Sequence, residues 1–419
     1  MDFRALPSGP ITLSNVTVPA HLLGQPGDLI QTDLHLADGK LTDTPGPSVD
    51  MARAMVLPAF VDMHTHLDKG HIWPRASNPD GSFMGALTTV RADHANWSAE
   101  DLRPRMTFSL RCAYAHGTRA IRTHLDSIPP QGDISWPLFD EVRTDWAGKI
   151  DLQAVCLIGC DGFSEDGPFA HTADLVRRYG GVLGMVTYPV PDLKDRLLGF
   201  FRMARDRGLA ADFHVDETMD PGSETLRMIA ETVLEIGFDG PVTVGHCCSL
   251  STQDEARALS TLDLVAKAGI RVVSLPMCNL YLQDRGPGTP RGRGVTLVHE
   301  MRDRGIAVSF ASDNTRDPFY AYGDLDMVEV MRQATRIAHL DHSRADWVDA
   351  FSATPAASAG FAVQGLRPGD PADLVIFKAR EWTEFYARPQ HDRIVLRAGQ
   401  AIDRALPDYS ELDHLMEAT

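Results

Sequence analysis

The feature that most constrains the fold is an alternation of short apolar runs and longer amphipathic segments between residues 55 and 312. Each apolar run has the length of a buried strand, and the segments between them have the period of a helix. This rhythm predicts repeated βα units around a parallel sheet. The predicted strands are Met55–His64, Arg119–His124, Leu152–Gly159, Val182–Pro189, Ala211–His214, Val242–His246, Arg271–Pro276 and Ile306–Ser312.

Eight such strands with helical crossovers in about 300 residues predict an α/β fold, a closed (β/α)8 TIM-like barrel. Two of the predicted helices, Pro104–His116 and Glu224–Ile236, are each followed by a glycine, which is a common helix C-cap. A doubly wound open sheet is the alternative. It is disfavoured because no glycine-rich dinucleotide-binding fingerprint follows the first strand.

Both ends of the chain have a strand-and-turn pattern instead, and the 419 residues exceed what one ordinary core needs. The apolar runs at the two ends are Ile11–Val18, Leu29–Leu36, Gly365–Phe377 and Arg393–Arg397. Neither end is long enough to bury a core of its own. We therefore expect the ends to pair into one small β-sandwich domain. The predicted divisions are residues 1–57 and 365–419 for this domain and 58–364 for the barrel.

Composition narrows the class of protein. Apolar residues make up 43% and charged residues 23%, as in ordinary globular proteins. No apolar run is long enough to span a membrane, and no secretory signal is visible. The net charge of -17 disfavours nucleic acid and anionic lipid as partners. The six cysteines form no paired CxxC set, which indicates reduced core thiols and a cytoplasmic location. We expect the acidic segment from Asp408 onwards to be solvated.

The most informative motif is the pair His64 and His66 at the end of the first predicted barrel strand. Residues two apart in a strand point to the same side, so both imidazoles face the barrel mouth. Two imidazoles on one side can bind a divalent ion. The alternative is a pair of solvated loop histidines.

Further polar residues stand at the ends of other predicted strands. His214 ends the fifth strand, His246 ends the sixth and Asp313 follows the eighth. Catalytic groups of barrel enzymes lie at these carboxyl ends, so the three side chains join the first pair in a predicted metal site. Glu217 follows His214 by three residues and is positioned to transfer protons near the metal. The alternative for Glu217 is an exposed loop residue.

Taken together, these motifs resemble the amidohydrolase superfamily and, within it, the cytosine deaminase-like branch. The resemblance covers nearly the whole chain, and its pattern is specific to the superfamily and branch but not to a substrate. The segments that carry it are Pro58–Asp68, Arg122–Asp126, Phe213–Glu217, Val244–His246, Asn279–Arg285, Ser312–Pro318 and Gly365–Phe377.

The resemblance implies that four side chains hold one divalent ion per chain, zinc or iron: His64, His66, His214 and Asp313. It implies that His246 is not a ligand and instead hydrogen-bonds the water that the metal activates. It also implies that Glu217 and Asp313 transfer the protons of the reaction. The fourth predicted strand contains no lysine that could be carboxylated to bridge two ions, which favours a single metal.

The implied reaction is hydrolytic deamination of an amino-substituted N-heterocycle, with release of ammonia or a small amine. Pyrimidines, pterins, creatinine-like rings and s-triazines are the candidate substrates. The alternatives are a ring-opening cyclic amide hydrolase of the same superfamily and a catalytically inactive binding barrel. A small heterocycle is the expected partner, and we expect the chain to form a homo-oligomer.

Three differences from the branch argue against cytosine itself as the substrate. Cys160 replaces a glutamine that reads the pyrimidinone edge, and a thiol does not offer the donor and acceptor of an amide. Asn314 stands where the branch tends to have a second acid, and Phe319 replaces a tryptophan. All three are predicted to contact the substrate.

The remaining candidates have two interpretations each. Lys69 either holds a carbonyl-rich or anionic ring or forms a surface ion pair with Asp68 or Asp93. His124 either contacts the substrate or supports a metal ligand. The same choice applies to four residues near other strand ends, namely Arg122, Asp126, Asn279 and Gln283.

Overall fold

The computed structural model of the chain describes residues 6–342 and 347–416. Its strands are β1 (Ile11–Pro19), β2 (Leu29–Ala37), β3 (Lys40–Thr42), β4 (Ser48–Asp50), β5 (Met55–Pro58), β6 (Phe60–Thr65), β7 (Thr118–Asp126), β8 (Asp151–Leu157), β9 (Leu183–Thr187), β10 (Ala211–Val215), β11 (Val242–His246), β12 (Arg271–Ser274), β13 (Val308–Phe310), β14 (Leu374–Phe377), β15 (Ile394–Arg397) and β16 (Gln400–Ala401).

The helices lie mainly between the strands of the central region. They are α1 (Phe83–Asp93), α2 (Ala99–His116), α3 (Gln131–Asp145), α4 (Pro168–Arg178), α5 (Leu193–Arg207), α6 (Thr225–Ile236), α7 (Glu255–Lys267), α8 (Pro276–Leu282), α9 (Val298–Asp303), α10 (Met327–Ala338), α11 (Ala353–Ala359), α12 (Trp382–Ala387) and α13 (Asp413–Met416).

Strands β6 to β13 form the predicted barrel. Parallel ladders join β6, β7 and β8 in one group and β9 to β13 in the other. Isolated parallel bridges close the ring, from Val155 to Val182 and from Gly159 to Val186 on one side and from Thr65 to Asp313 on the other. Among the described residues, eight strands therefore enclose the core, and the predicted (β/α)8 fold is confirmed.

The first predicted strand, Met55–His64, is wrong in one respect, because it is two strands in two different sheets. Strand β5 pairs antiparallel with β14, whereas β6 pairs with β7 in the barrel. The change occurs at Ala59, whose N–H donates to Asp373, while the next N–H, of Phe60, donates to Gly117. An unbroken apolar run conceals this change of partner because both strands are buried on both faces.

The two predicted helices end at the predicted residues, but their first residues differ from the prediction. Helix α2 begins at Ala99 rather than Pro104, because Leu102 already donates to the carbonyl of Ser98. Pro104 lies inside the helix, where it removes one hydrogen bond without ending it. Helix α2 is closed by Gly117, with a φ of 99°, in agreement with the expected glycine cap.

Strands from both chain ends pair in one further sheet, so the expected small β domain built from the two ends is confirmed. The order of the sheet is β16-β15-β14-β5-β1-β2-β3, with β4 alongside β1. The exact divisions at residues 57 and 364 stay predictions. No helix in the described ranges is long and apolar enough to cross a membrane. All six cysteines fall within those ranges and are buried and free of disulfides, in agreement with reduced core thiols.

The acidic side chains between Asp408 and Met416 are exposed, as expected for a solvated segment, but the apolar residues of this segment dock it on the barrel wall. Leu412 is 5% exposed and packs against Phe108 and Cys112 of α2. The ring of Tyr409 stacks on Phe108 with 5.5 Å between ring centroids. Apolar residues at helical spacing give this acidic segment one apolar face, and burying that face holds the segment on the barrel wall.

Candidate active site

Three histidines meet inside the carboxyl-terminal mouth of the barrel. The Nε2 atom of His214, on β10, lies 3.2 Å from Nε2 of His64, on β6, and 3.4 Å from Nε2 of His66, which directly follows β6. Nitrogen ligands about 2.0–2.1 Å from a tetrahedral metal are about 3.4 Å from one another, so these separations suit a shared ion. The alternative of two solvated loop histidines is wrong, because His64 is 1% and His66 5% exposed.

Asp313 completes the cluster from the loop after β13. Its Oδ1 atom lies 3.2 Å from Nε2 of His66 and 3.7 Å from Nε2 of His64. The residue has a φ of +64°, and its N–H donates to the carbonyl of His64, which aims the carboxyl group into the mouth. Strain of this kind is characteristic of functional sites.

The electrostatics of the cluster favour a cation. Burial raises the pKa of Asp313 to about 8, and neither of its carboxyl oxygens has a hydrogen-bond partner in the described structure. Burial also lowers the pKa values of His64, His66 and His214 well below the usual range, so their imidazoles are neutral. Neutral imidazoles and a carboxyl group that gives up its proton when a cation binds are a ligand set for a divalent ion. The residues therefore fit a histidine-rich metal site.

His246 and Glu217 lie at the edge of this cluster. The ring centroid of His246 is 5.3 Å from that of His64 and 4.9 Å from that of His214. Oε1 of Glu217 is 3.5 Å from Nδ1 of His246, and the Glu217 side chain is 12% exposed, so it is not the exposed loop residue of the alternative. Burial and the charge of Asp313 raise the pKa of Glu217 well above its usual value.

Lys69 is also buried, and the alternative of a surface ion pair with Asp68 or Asp93 was wrong. It is 3% exposed, and its Nζ atom donates to Asp126 at 2.8 Å. Although burial opposes the charged form, the carboxyl groups of Asp126 and Asp68 raise the pKa of Lys69 above its ordinary value. The ammonium lies 5.7 Å from the ring centroid of Phe319.

Two of the remaining predicted contacts, Phe319 and Asn314, lie in the chain segment next to Lys69. The ring of Phe319 packs against Phe83 with 5.5 Å between centroids, and Asn314 is buried and donates to Asp317 at 2.7 Å. Cys160 lies at another edge of the mouth, just after β8. Its buried thiol points to the carbonyl of Tyr188, with 3.6 Å between the two atoms.

His124 belongs to the same histidine cluster, with one ring nitrogen within 4.8 Å of ligand atoms of His64, His66 and His214. A residue that the sequence reasoning missed supports it. Its ring centroid is 4.0 Å from that of His64. Its Nε2 atom is 3.4 Å from Oδ1 of Asp212. The other carboxyl oxygen of Asp212 accepts a hydrogen bond from Nη1 of Arg122 at 2.8 Å. The signal for Asp212 was available, because it precedes His214 by two residues in the same strand and so points the same way.

Gly245 was also missed as part of the site. A Cβ atom placed there would lie 2.8 Å from Cε1 of His64, closer than side chains tolerate. Glycine at this position of β11 therefore leaves the space that the His64 ring occupies. The only local sign in the sequence is a glycine within a buried strand, which often marks close approach of another group.

Comparison with known proteins agrees with this fold and site. A model described as the amidohydrolase family matches residues 162–401, and the chain belongs to this family. A pterin deaminase from Rhizobium rhizogenes strain K84 is 55% identical over 97% of this chain and 97% of its own. N-isopropylammelide isopropyl amidohydrolase from Pseudomonas sp. strain ADP is 23% identical over 70% of this chain and 71% of its own.

A solved structure has the same fold. The 5-methylcytosine deaminase from Klebsiella pneumoniae, liganded with 5-fluorocytosine, superposes with a TM-score of 0.79 and 24% identity. The match covers 95% of this chain and 98% of that chain. These comparisons confirm the predicted superfamily, the barrel fold and the class of enzyme, a deaminase that hydrolyses carbon–nitrogen bonds other than peptide bonds.

Proposed function

We propose that the chain is a pterin deaminase, which replaces the exocyclic amino group of a pterin by oxygen and releases ammonia. The observation that carries this proposal is the 55% identity to a pterin deaminase over 97% of both chains. A pterin fuses a second ring to an amino-pyrimidinone and is larger than cytosine. Cys160 in place of a glutamine leaves more room on one side of the mouth, which suits the larger ring.

We further propose that the site holds one divalent ion per chain, zinc or iron, on His64, His66, His214 and Asp313. When bound, such an ion supplies Lewis-acid chemistry, lowering the pKa of water from 15.7 to about 7. Strand β9 and its flanks contain no lysine that could bridge a second ion, which supports a single metal. The distances of 3.2, 3.4, 3.2 and 3.7 Å for four pairs of donor atoms among these residues support this ligand set.

The proton transfers are assigned to the chain's own carboxyl groups. Asp313 takes the proton that the attacking water loses. Glu217, whose raised pKa favours the protonated form, gives a proton to the ring nitrogen beside the amino-bearing carbon. The proton taken up by Asp313 then passes to the amino group, which leaves as ammonia, while the hydroxyl proton released as the carbonyl forms returns to Glu217. His246 donates a hydrogen bond to the oxygen on which charge develops.

Substrate contacts are assigned to Lys69, Phe319 and Asn314. The flat ring packs against Phe319, and the ammonium of Lys69 donates to the ring carbonyl oxygen, which suits a carbonyl-rich heterocycle. Asn314, Cys160 and His124 are proposed to complete the contacts. The substrate is a small heterocycle, whereas a cytoplasmic location and a homo-oligomeric state stay predictions.

The test is a steady-state assay of metal-loaded protein with pterin, cytosine and N-isopropylammelide as separate substrates. Ammonia release and the ultraviolet spectrum of the product report deamination, and product mass separates it from ring opening. We expect pterin to be the best substrate and cytosine to have a kcat/KM below about 10⁴ M⁻¹s⁻¹, the lower end of ordinary enzyme efficiency. Absence of ammonia from pterin, with turnover of another ring, would refute the proposal.

A further inference from the structure

Helix α8 places the side-chain amide of Asn279 against the ring of His246. Nδ2 of Asn279 lies 3.0 Å from Nδ1 of His246, and each of the two residues is 1% exposed. One turn later, Gln283 donates to the main-chain carbonyl of Glu217 at 3.2 Å. The helix and the residue that follows it therefore contact the ring of His246 and the main chain of Glu217.

The contact with Asn279 decides where the imidazole carries its proton. A neutral histidine has one nitrogen that donates and one that accepts, and an amide NH₂ group only donates. With the NH₂ group of Asn279 facing it, Nδ1 of His246 accepts and the proton resides on Nε2. Nε2 is buried without a hydrogen-bond partner in the described residues. It is the atom that remains available to the site.

The location of the His246 ring makes this choice important. One ligating atom from each of His64, His246 and Asp313 lies within 4.8 Å of the others, so His246 is close enough to compete as a ligand. A protonated nitrogen cannot coordinate a metal, but it can donate to an oxygen. The same proton thus keeps His246 out of the ligand set and makes it a hydrogen-bond donor.

Glu217 is the other group at Nδ1, and it lies farther away, at 3.5 Å. A carboxylate there would favour the opposite tautomer, with the proton on Nδ1. At 3.5 Å the Glu217 contact is longer than an ordinary N–H···O hydrogen bond, whereas Asn279 lies at 3.0 Å. The nearer neighbour therefore favours an accepting Nδ1.

We propose that Asn279 is a positioning residue that holds His246 in the Nε2–H tautomer, and thereby separates its hydrogen-bonding role from metal ligation. The proposal rests on the proposed deaminase function for its effect on rate, but not for the tautomer itself. Asn279 acts through His246 and is not assigned a contact with substrate.

The first experiment reads the tautomer directly in the metal-loaded protein. Long-range ¹H–¹⁵N spectra of histidine-labelled protein distinguish protonated from unprotonated ring nitrogens, and His246→Gln assigns the signal. We expect Nε2–H in the wild type, a mixture in Asn279→Leu, and Nδ1–H in Asn279→Asp. The leucine variant is the shape-matched control, because it removes the donor without adding an acceptor. A wild-type Nδ1–H tautomer, or variants with the wild-type tautomer, would overturn the proposal.

The second experiment measures rate and metal environment in the same variants. We expect kcat to fall by about 10-fold in Asn279→Leu and by about 10²-fold or more in Asn279→Asp, the scale for losing one preorganised donor, with KM nearly unchanged. In the cobalt-substituted protein, the visible spectrum should change most for Asn279→Asp, since Nε2 then has a free lone pair. Wild-type kcat and cobalt spectrum in the aspartate variant would contradict the assigned role.

These two experiments also test the role of Asn279 independently of the identity of the substrate. If pterin is not turned over, the spectra of the wild type still decide the tautomer, and the rates are measured with the ring that is deaminated. If the variants do not fold, the wild-type spectrum alone tests the assignment of the proton to Nε2.

Discussion

Lys69 and Asp126 form a buried ion pair inside the mouth of the barrel, with 2.8 Å between Nζ and Oδ1. The other oxygen of Asp126 lies 2.9 Å from Nε2 of His94, so the carboxyl group is held from two sides. Because Asp126 is fixed in this way, it holds the ammonium of Lys69 in one position beside the Phe319 ring. A fixed cation at this place is a hydrogen-bond donor for a substrate carbonyl without a large cost in side-chain entropy.

We therefore predict that Lys69→Met raises KM for pterin by about 10-fold or more, because a hydrogen bond from a charged group contributes about 1.5–3 kcal/mol. His94 still binds Asp126 in this variant, which limits the loss of stability. Lys194→Met is the control, since Lys194 is 37% exposed and pairs with Glu235 at the surface. Equal KM values for the two variants would assign Lys69 a structural role only.

Metal content tests the ligand set. Purified protein is expected to contain about one divalent ion per chain, measured by elemental analysis. His214→Ala should lose the ion because it removes one of four ligands, whereas His246→Ala should retain it and lose rate. Two tightly bound ions per chain would rule out a mononuclear site, and loss of metal from His246→Ala would make His246 a ligand.

Replacement of Glu217 by glutamine tests proton transfer, because the amide keeps the shape of the side chain but cannot act as an acid or base. We expect kcat to fall by about 10²-fold or more, the usual contribution of a positioned acid–base group. Metal content should stay unchanged. Glu235→Gln, at an exposed position, is the matched control. Nearly normal turnover by the Glu217 variant would show that another group transfers the proton.

Arg393 joins the terminal sheet to the barrel through a two-pronged contact with Asp326, with 2.6 Å for each hydrogen bond. Arg393 is 0% and Asp326 9% exposed at the side chain. We predict that Arg393→Met lowers the free energy of unfolding by about 3–5 kcal/mol, since it leaves a buried carboxylate unpaired. Arg103→Met, which breaks only surface pairs with Glu141 and Asp145, should cost less than about 1 kcal/mol.

Denaturant unfolding measures both values, and pH provides a further check on this pair. Although burial opposes ionisation, Arg393 and His116 lower the pKa of Asp326 below its usual 3.8. The contribution of the pair is therefore full above that usual value and is lost as the pH falls through the lower folded pKa. A difference between wild type and Arg393→Met that does not shrink in acid would contradict this account.

The parts of the fold that could be predicted are those encoded locally. Each βα unit has its own apolar run and amphipathic helix, so the barrel follows from a repeated short-range pattern. His64 and His66 are recognisable together because strand alternation places residues two apart on one side. His214, His246 and Asp313 follow because the ends of parallel strands meet at one mouth.

What the sequence by itself determined is therefore the barrel, the polar residues at the strand ends and the pairing of the chain ends. The first two rest on local periodicity, and the third rests on the short length of each end. Only the tertiary structure decided that Lys69 is paired with Asp126, that the chain changes sheets at Ala59 and that Asn279 faces His246. These contacts join residues distant in the chain. They depend on the register of neighbouring strands and on ring closure, which no short stretch of sequence specifies.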